Sequence, residues 1–206
     1  GVEGTHDNTF LKEMSKLLIA SGEAVPDLEQ LELDGEQVFV PLGGSNLALW
    51  ASRLAPFNRP EFHICDRDDP PPNDPKYSAH IDAINERAGC QAVATQKREL
   101  ESYLHHEAIR EAYAENGIVI AFPGPFADFD DVPEMVAEAV HLANGGQPWA
   151  TLDDEKRRKK ESSAKRHLNG SAVRQMTIAR LAETDPNNEI RGWLTSIAAM
   201  MEGVDA

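Results

Sequence analysis

Three short apolar segments, each followed by a helical pattern, restrict most strongly what this chain can fold into. They cover residues 38–42, 62–65 and 90–94, so none is longer than five residues. Between and around them, apolar residues recur at helical spacing, as they do over residues 8–20. This alternation over residues 1–116 predicts an α/β fold in which helices flank a parallel sheet.

Acidic residues follow the second predicted strand. Residues 61–74 read EFHICDRDDPPPND, so the strand runs into Asp66, Asp68 and Asp69 before a proline-rich turn. Ligands of parallel sheets bind at the carboxyl ends of the strands. Clustered carboxylates repel one another, and Mg²⁺ or Mn²⁺ offsets that cost because it prefers oxygen ligands. The stretch therefore indicates either a metal site or solvated aspartates in a turn.

Two further acidic stretches make a metal site the better interpretation. In VEGTHD, Glu3 and Asp7 are four residues apart, so a helix that begins near Gly4 places both on one edge. In KRELESYL, Glu99 and Glu101 follow the third predicted strand, and Tyr103 is a candidate anchor.

The order of these motifs resembles the Toprim domain, the α/β metal-binding module of topoisomerases and bacterial primases. The matching stretches are VEGTHD, the glycine turn PLGGSN, FHICDRDD and KRELESYL. The E-G-x-x-D form and ELESYL are more narrowly similar to nucleases of the overcoming-lysogenization-defect (OLD) family. The resemblance covers residues 1 to about 110, and residues 117–206 match the helical C-terminal portion of that family more weakly.

This resemblance implies a nuclease that hydrolyses DNA or RNA with one or two Mg²⁺ or Mn²⁺ ions. It assigns metal ligation to five acids, with Glu3, Asp66 and Asp68 also catalytic, and it implies a lysine that offsets developing charge. For that lysine we select Lys165, with Lys160 behind it. The implied metal ligands are Glu3, Asp7, Asp66, Asp68 and Glu101.

The resemblance also implies partners. OLD-type nucleases are joined to an ATPase, yet no G-x-x-x-x-G-K-[ST] phosphate loop occurs in this sequence. We therefore expect an ATPase domain before Gly1 or an ATPase on a separate subunit, as part of an antiviral defence system. The apolar spacing near Met201 predicts a helix face for a partner or a second copy of the chain.

Charge is distributed unevenly along the chain. The net charge of -15 argues against a general electrostatic grip on nucleic acid, but residues 156–167 hold seven Lys or Arg against one Glu. This run is either a phosphate-binding arm or a solvated helix face. We divide the chain into a Toprim metal-binding core, residues 1–116, and a mostly helical C-terminal extension, residues 117–206.

Two other functions remain open from the residues. In a phosphatase of the haloacid dehalogenase type, Asp66 would be the nucleophile and Asp68 the acid/base. Alternatively, a non-catalytic Toprim fold would serve as a regulatory or binding subunit.

Both cysteines are expected as free thiols, and His105 and His106 as helix-surface residues. No apolar stretch approaches the roughly 20 residues of a membrane span, and the default compartment is the cytoplasm.

Overall fold

The computed structural model describes residues 1–2, 4, 6–41, 43, 47–121 and 124–202, and the side chains of residues 47, 48, 50 and 51 are not described. Within these ranges the chain is an α/β protein with a small parallel sheet flanked by helices. The strands are β1 (Glu61–Cys65) and β2 (Cys90–Ala94). The helices are α1 (Asp7–Ala20), α2 (Leu28–Leu33), α3 (Leu47–Leu54), α4 (Ser78–Asn85), α5 (His106–Ala114), α6 (Val132–Ala143), α7 (Asp154–His167), α8 (Ile178–Thr184) and α9 (Glu189–Glu202).

The two strands pair in parallel, from Glu61 opposite Cys90 to Cys65 opposite Ala94. Helix α4 connects them and packs on β2. Its last residue, Asn85, accepts from the Ala92 N–H at 2.7 Å and donates to the Ala92 carbonyl at 3.1 Å. The Asn85 amide therefore satisfies backbone groups that β2 would otherwise leave open at its edge.

On its other side, β1 is met by the first residues of the chain. The Ile64 N–H donates to the Gly1 carbonyl at 3.0 Å, and the Val2 N–H donates to the Val40 carbonyl at 3.2 Å. Val2 also forms an isolated parallel bridge with Pro41. The predicted strand at residues 38–42 is thus reduced to this bridge, because proline has no N–H with which to extend a ladder. Leu42, like Gly44 and Ser45 of the predicted glycine turn, lies outside the described residues.

One hydrophobic core joins residues from both ends of the chain. Helix α1 buries Phe10 and Met14, in agreement with the helix predicted from residue 8, and α9 buries Trp193 and Leu194. Leu168, which follows α7, is also fully buried in this core. The division at residue 116 stays a prediction. Among the described helices, none is long and apolar enough to cross a membrane.

The segment after β2 differs most from the sequence-based expectation. The spacing of ELESYLHHEAIREAYAEN predicts one continuous helix, but Leu100–Tyr103 forms a 3₁₀ turn, Leu104 is extended, and α5 begins only at His106. The His105 ring accepts from the Glu107 N–H at 3.2 Å and so caps α5. The extended backbone at Leu104 and His105 separates the 3₁₀ turn from α5.

Candidate active site

The 3₁₀ turn carries two carboxylates into the protein interior. Glu99 is 6% exposed and Glu101 is 1% exposed. The turn is fixed at both ends, because the Arg98 N–H donates to the Asp128 carbonyl at 2.8 Å and the Tyr103 hydroxyl donates to Glu189 at the start of α9. Buried carboxylates are costly unless they are paired, so their partners decide what this turn does.

Their partner is Lys165 of helix α7. Its Nζ lies 2.6 Å from Oε2 of Glu99 and 3.8 Å from Oε2 of Glu101. Asn169 follows α7 in a short π-helical segment, Leu168–Ala172, and its Nδ2 donates to Oε1 of Glu101 at 2.8 Å. We call Glu99, Glu101, Lys165 and Asn169 the carboxylate–ammonium group. It joins the turn after β2 to the basic helix.

Helix α7 is placed by its sequence. The Asp153 carboxylate caps the helix by accepting from the Lys156 N–H, and acids in the first turn with bases in the last complement the helix dipole. Ala164 is the buried residue of α7. Since α7 has little apolar surface of its own, the neighbouring Lys165 is held partly by its two ion pairs.

Burial dominates the electrostatics of this group. It raises the pKa of Glu99 to about 7, and the neighbouring Glu101 carboxylate adds to that rise while Lys165 opposes it. Burial likewise raises the pKa of Glu101. For Lys165, burial lowers the pKa, but the carboxylates of Glu101 and Glu99 outweigh it and the net direction is upward. Lys165 therefore remains a cation, whereas its partners hold protons more strongly than ordinary carboxyl groups.

Two of the predicted metal ligands act electrostatically on this group. The Asp7 carboxylate contributes to the raised pKa of Glu101, and the Asp66 carboxylate contributes to the raised pKa of Lys165. Asp7 begins α1, where its Oδ2 accepts from the Gly4 N–H at 2.7 Å. Asp66 directly follows β1 and is half-buried. Carboxylates at the ends of two different elements thus influence the protonation of the group.

Asp68 makes a different contact. Its backbone adopts a left-handed conformation with φ of 60°, and its Oδ2 lies 2.7 Å from Nζ of Lys76. Among the described ion pairs, Asp68 therefore pairs with Lys76 at the surface and not with Lys165 of the carboxylate–ammonium group. Glu3 lies outside the described residues. Lys160, the second choice for the catalytic lysine, is half-buried on α7.

The histidine prediction was wrong for His105. Its side chain is 9% exposed and its Nε2 lies 3.2 Å from Oε2 of Glu183, so it is a buried cap and not a helix-surface residue. His106 is half-buried beside it, with the two ring centroids 4.2 Å apart. Both cysteines are free, as expected, with Cys65 buried and Cys90 half-buried.

The donor atoms of the group suit a hard cation. Oε1 of Glu99 and Oδ1 of Asn169 are buried and have no hydrogen-bond partner among the described residues. Carboxylate and amide oxygens are the ligands that Mg²⁺ and Mn²⁺ prefer. Within the described part of the chain, however, no three His, Cys, Asp or Glu side chains lie close enough together to hold a metal ion. The chemistry of the group fits a divalent cation, while the described acids do not yet form a complete ligand set.

Asn169 was missed by the sequence interpretation. It is four residues after Lys165, the spacing at which side chains of a helix become neighbours, so a polar residue there was detectable as a companion of the selected lysine. Glu99 was noticed but not selected. Its position in the sequence does not distinguish Glu99 from other acids, but its burial does. Glu99 and Glu101 both direct their side chains into the protein interior.

We predict that Glu99 makes stability depend on pH. Its native pKa of about 7 exceeds the unfolded value of 4.5, so its contribution is fully present below pH 4.5 and is lost as pH rises through 7. Relative to the wild type, Glu99→Gln should therefore gain stability between pH 4.5 and 7, by on the order of 2 kcal/mol. Urea unfolding in EDTA at several pH values measures this difference.

The matched control for this measurement is Glu155→Gln, because the Glu155 side chain is 78% exposed on α7. Its difference from the wild type should stay flat over the same pH range. A flat difference for Glu99→Gln as well would show that Glu99 titrates as an ordinary solvent-exposed carboxyl group.

Fold and site together define an α/β protein in which two buried carboxylates, beyond the carboxyl ends of its parallel strands, pair with a half-buried lysine. Comparisons with protein-family models, with curated proteins and with solved structures give no match to this chain.

Proposed function

We propose that this chain is a metal-dependent nuclease of the Toprim type, similar to the OLD family, that hydrolyses phosphodiester bonds of nucleic acid. The observation that carries the proposal is the pairing of the half-buried Lys165 with the buried carboxylates of Glu99 and Glu101. The family resemblance implies Glu101 as a metal ligand and a charge-offsetting lysine, for which Lys165 was selected by its position in the C-terminal part of the chain.

In this proposal the acids hold one or two Mg²⁺ or Mn²⁺ ions, which would activate a water and stabilise the leaving oxygen. Glu101, Asp7 and Asp66 are the described candidates for this role, together with Glu3 and Asp68 from the resemblance. Asn169 fixes the orientation of the Glu101 carboxylate through its 2.8 Å hydrogen bond. The Lys165 ammonium offsets negative charge that develops on a phosphate, because it remains protonated at any ordinary pH.

The remaining parts of the proposal concern partners. We propose that an ATPase domain or subunit works with this nuclease, as in an antiviral defence system. A second copy of the chain is the proposed partner of α9, where Ile197, Met200 and Met201 line an apolar cavity of about 750 Å³ together with Phe39 and Phe57. Size-exclusion chromatography with light scattering tests the pairing with a second copy of the chain, by comparing the wild type with Met201→Asp.

The test of the activity is cleavage of plasmid DNA and of RNA with Mn²⁺ or Mg²⁺. EDTA should abolish cutting, and Asp66→Asn should reduce it at least about 100-fold, since metal ligands supply several kcal/mol of transition-state stabilisation. Asp69→Asn is the matched control, because Asp69 is exposed, carries the same charge as Asp66 and lies three residues after it. Equal cutting by Asp66→Asn and the wild type would reject the assigned site.

The same preparation separates this proposal from a phosphatase. A phosphatase of the haloacid dehalogenase type would hydrolyse a small phosphate ester and trap an aspartyl-phosphate on Asp66. Asp130 and Asp131, which would provide its later acidic motif, are both engaged in local structure. Asp130 accepts from the Ala127 N–H at 2.8 Å, and Asp131 caps α6 and pairs with Arg98 at 2.7 Å.

A further inference from the structure

Helix α7 reverses the charge balance of the chain. The whole sequence holds 35 Asp and Glu against 20 Lys and Arg, whereas α7 carries seven Lys or Arg and three acids. The acids lie mostly in its first turn, where Asp154 pairs with Arg157 and Glu155 pairs with Lys159. These pairs neutralise only two of the basic residues, so the helix keeps an excess of positive charge.

Two arginines of α7, one in each half of the helix, are not held by an ion pair among the described residues. Arg158 and Arg166 form no ion pair with any described residue, and both are exposed. Ser162 lies midway between them and is also exposed, so Arg158, Ser162 and Arg166 follow one another at intervals of four residues along one ridge of the helix. We call these three residues the basic ridge. Arginine and serine are typical donors to phosphate oxygens.

The basic ridge leads to the candidate active site. Lys165 is next to Arg166 in sequence and lies seven residues, about two helical turns, after Arg158, so it shares a face with Arg158 and Ser162. Eight residues from Arg158 to Arg166 span about 12 Å, which corresponds to about three phosphates along one strand at 3.4 Å per nucleotide. The ridge therefore has the length, charge and direction to hold a strand beside the carboxylate–ammonium group.

We propose that the basic ridge binds the sugar–phosphate backbone of the nucleic acid substrate and positions it at the carboxylate–ammonium group. This inference builds on the proposed nuclease function and adds how a chain of net charge -15 holds a polyanion. Acidic residues elsewhere repel the nucleic acid strand, so α7 is the surface that binds it and contact is restricted to one orientation. The contacts are to phosphates, so binding is independent of base sequence.

The test compares two double variants with equal net charge. Arg158→Gln/Arg166→Gln removes both charges of the basic ridge, and Arg59→Gln/Arg174→Gln removes two exposed arginines from other elements. Fluorescence anisotropy in EDTA measures binding of labelled 30-residue DNA and RNA oligonucleotides, single-stranded and duplex, over a range of salt. EDTA prevents metal-dependent cutting, so binding is read separately from activity.

We expect the ridge variant to raise Kd at least about tenfold and to flatten the dependence of log Kd on log salt by about 1.4 to 1.8, as two lost phosphate contacts require. The control should change neither by more than a small factor. Urea unfolding of both variants checks that the fold is retained. Equal Kd values for the two variants, or no binding of any oligonucleotide by the wild type, would overturn the proposal.

The two experiments distinguish a wrong proposal for the basic ridge from a wrong proposal for the nuclease activity. Binding through the ridge without cleavage in Mn²⁺ or Mg²⁺ supports the ridge and rejects the nuclease. Cleavage by the wild type together with equal binding by the two double variants rejects the ridge and leaves the nuclease in place.

Discussion

Replacing Lys165 with methionine should destabilise the protein and make its stability depend more steeply on pH. The change removes the only cation that contacts Glu99 and Glu101 among the described ion pairs. Breaking a fully buried pair costs about 3–5 kcal/mol. Because the Lys165 side chain is 41% exposed, solvent screens part of this interaction, and we expect a loss of about 2 kcal/mol.

The pH dependence identifies the cause of that loss. Without the ammonium, both carboxyl groups of the variant hold protons more strongly in the native state than in the unfolded state. Its stability deficit relative to the wild type should therefore grow between pH 5 and pH 8, as measured by urea unfolding in EDTA. Adding Glu99→Gln to Lys165→Met should recover part of the stability deficit, because it removes one of the two carboxyl groups that have lost their cation.

Lys159→Met is the control for these measurements, because Lys159 lies on the same helix with a side chain that is 73% exposed. We expect it to lose less than about 0.5 kcal/mol at every pH. A deficit of the same size and the same pH dependence for both lysines would mean that the ion pairs of Lys165 contribute no more than an ordinary surface bridge.

Glu101→Gln should separate stability from activity. The glutamine Oε1 still accepts the hydrogen bond from Asn169, while a buried carboxyl group of raised pKa is removed, so the variant should be at least as stable as the wild type at pH 7. Nuclease activity with Mn²⁺ or Mg²⁺ should nevertheless fall about 100- to 1000-fold, because an amide is a poor substitute for a carboxylate ligand.

Isothermal titration with Mn²⁺ provides an independent reading of the same variant. We expect metal affinity to decrease in Glu101→Gln and to remain unchanged in Glu86→Gln, whose exposed side chain lies just after α4. A Glu101→Gln protein that binds Mn²⁺ and cuts like the wild type would show that Glu101 is a structural partner of Lys165 and nothing more.

Regular elements of this chain were predictable where apolar spacing was long or β-rich. Helix α1 and strands β1 and β2 were expected within a residue of their observed bounds, because each has a clear period or a dense apolar run. The turn at Leu100–Tyr103 was not, since its residues are compatible with a helix, whereas the backbone at Leu104 and His105 is extended. Local spacing cannot reveal a cap that depends on tertiary burial of a histidine.

The candidate site shows a similar limit. The selection of Asp7, Asp66, Glu101 and Lys165 came from the family resemblance and not from periodicity, and of these the structure shows Glu101 in contact with Lys165. Asp68, whose backbone is left-handed, pairs with Lys76, eight residues later. No sequence pattern announces such a change of direction at a non-glycine residue. Which acids complete a metal ligand set stays a prediction, with Glu3 outside the described residues.

The hydrogen bond between Tyr103 and Glu189 has a consequence for how this protein can be divided. Glu189 also accepts from the Gln96 N–H at 2.9 Å, so the first residue of α9 holds both the segment before the 3₁₀ turn and the last residue of that turn. A fragment that stops at residue 116 would keep Glu99 and Glu101 but would lose their ammonium, their amide and this anchor. Gene fusion or domain shuffling could therefore transfer the two acids usefully only together with the distant helices that neutralise and hold them.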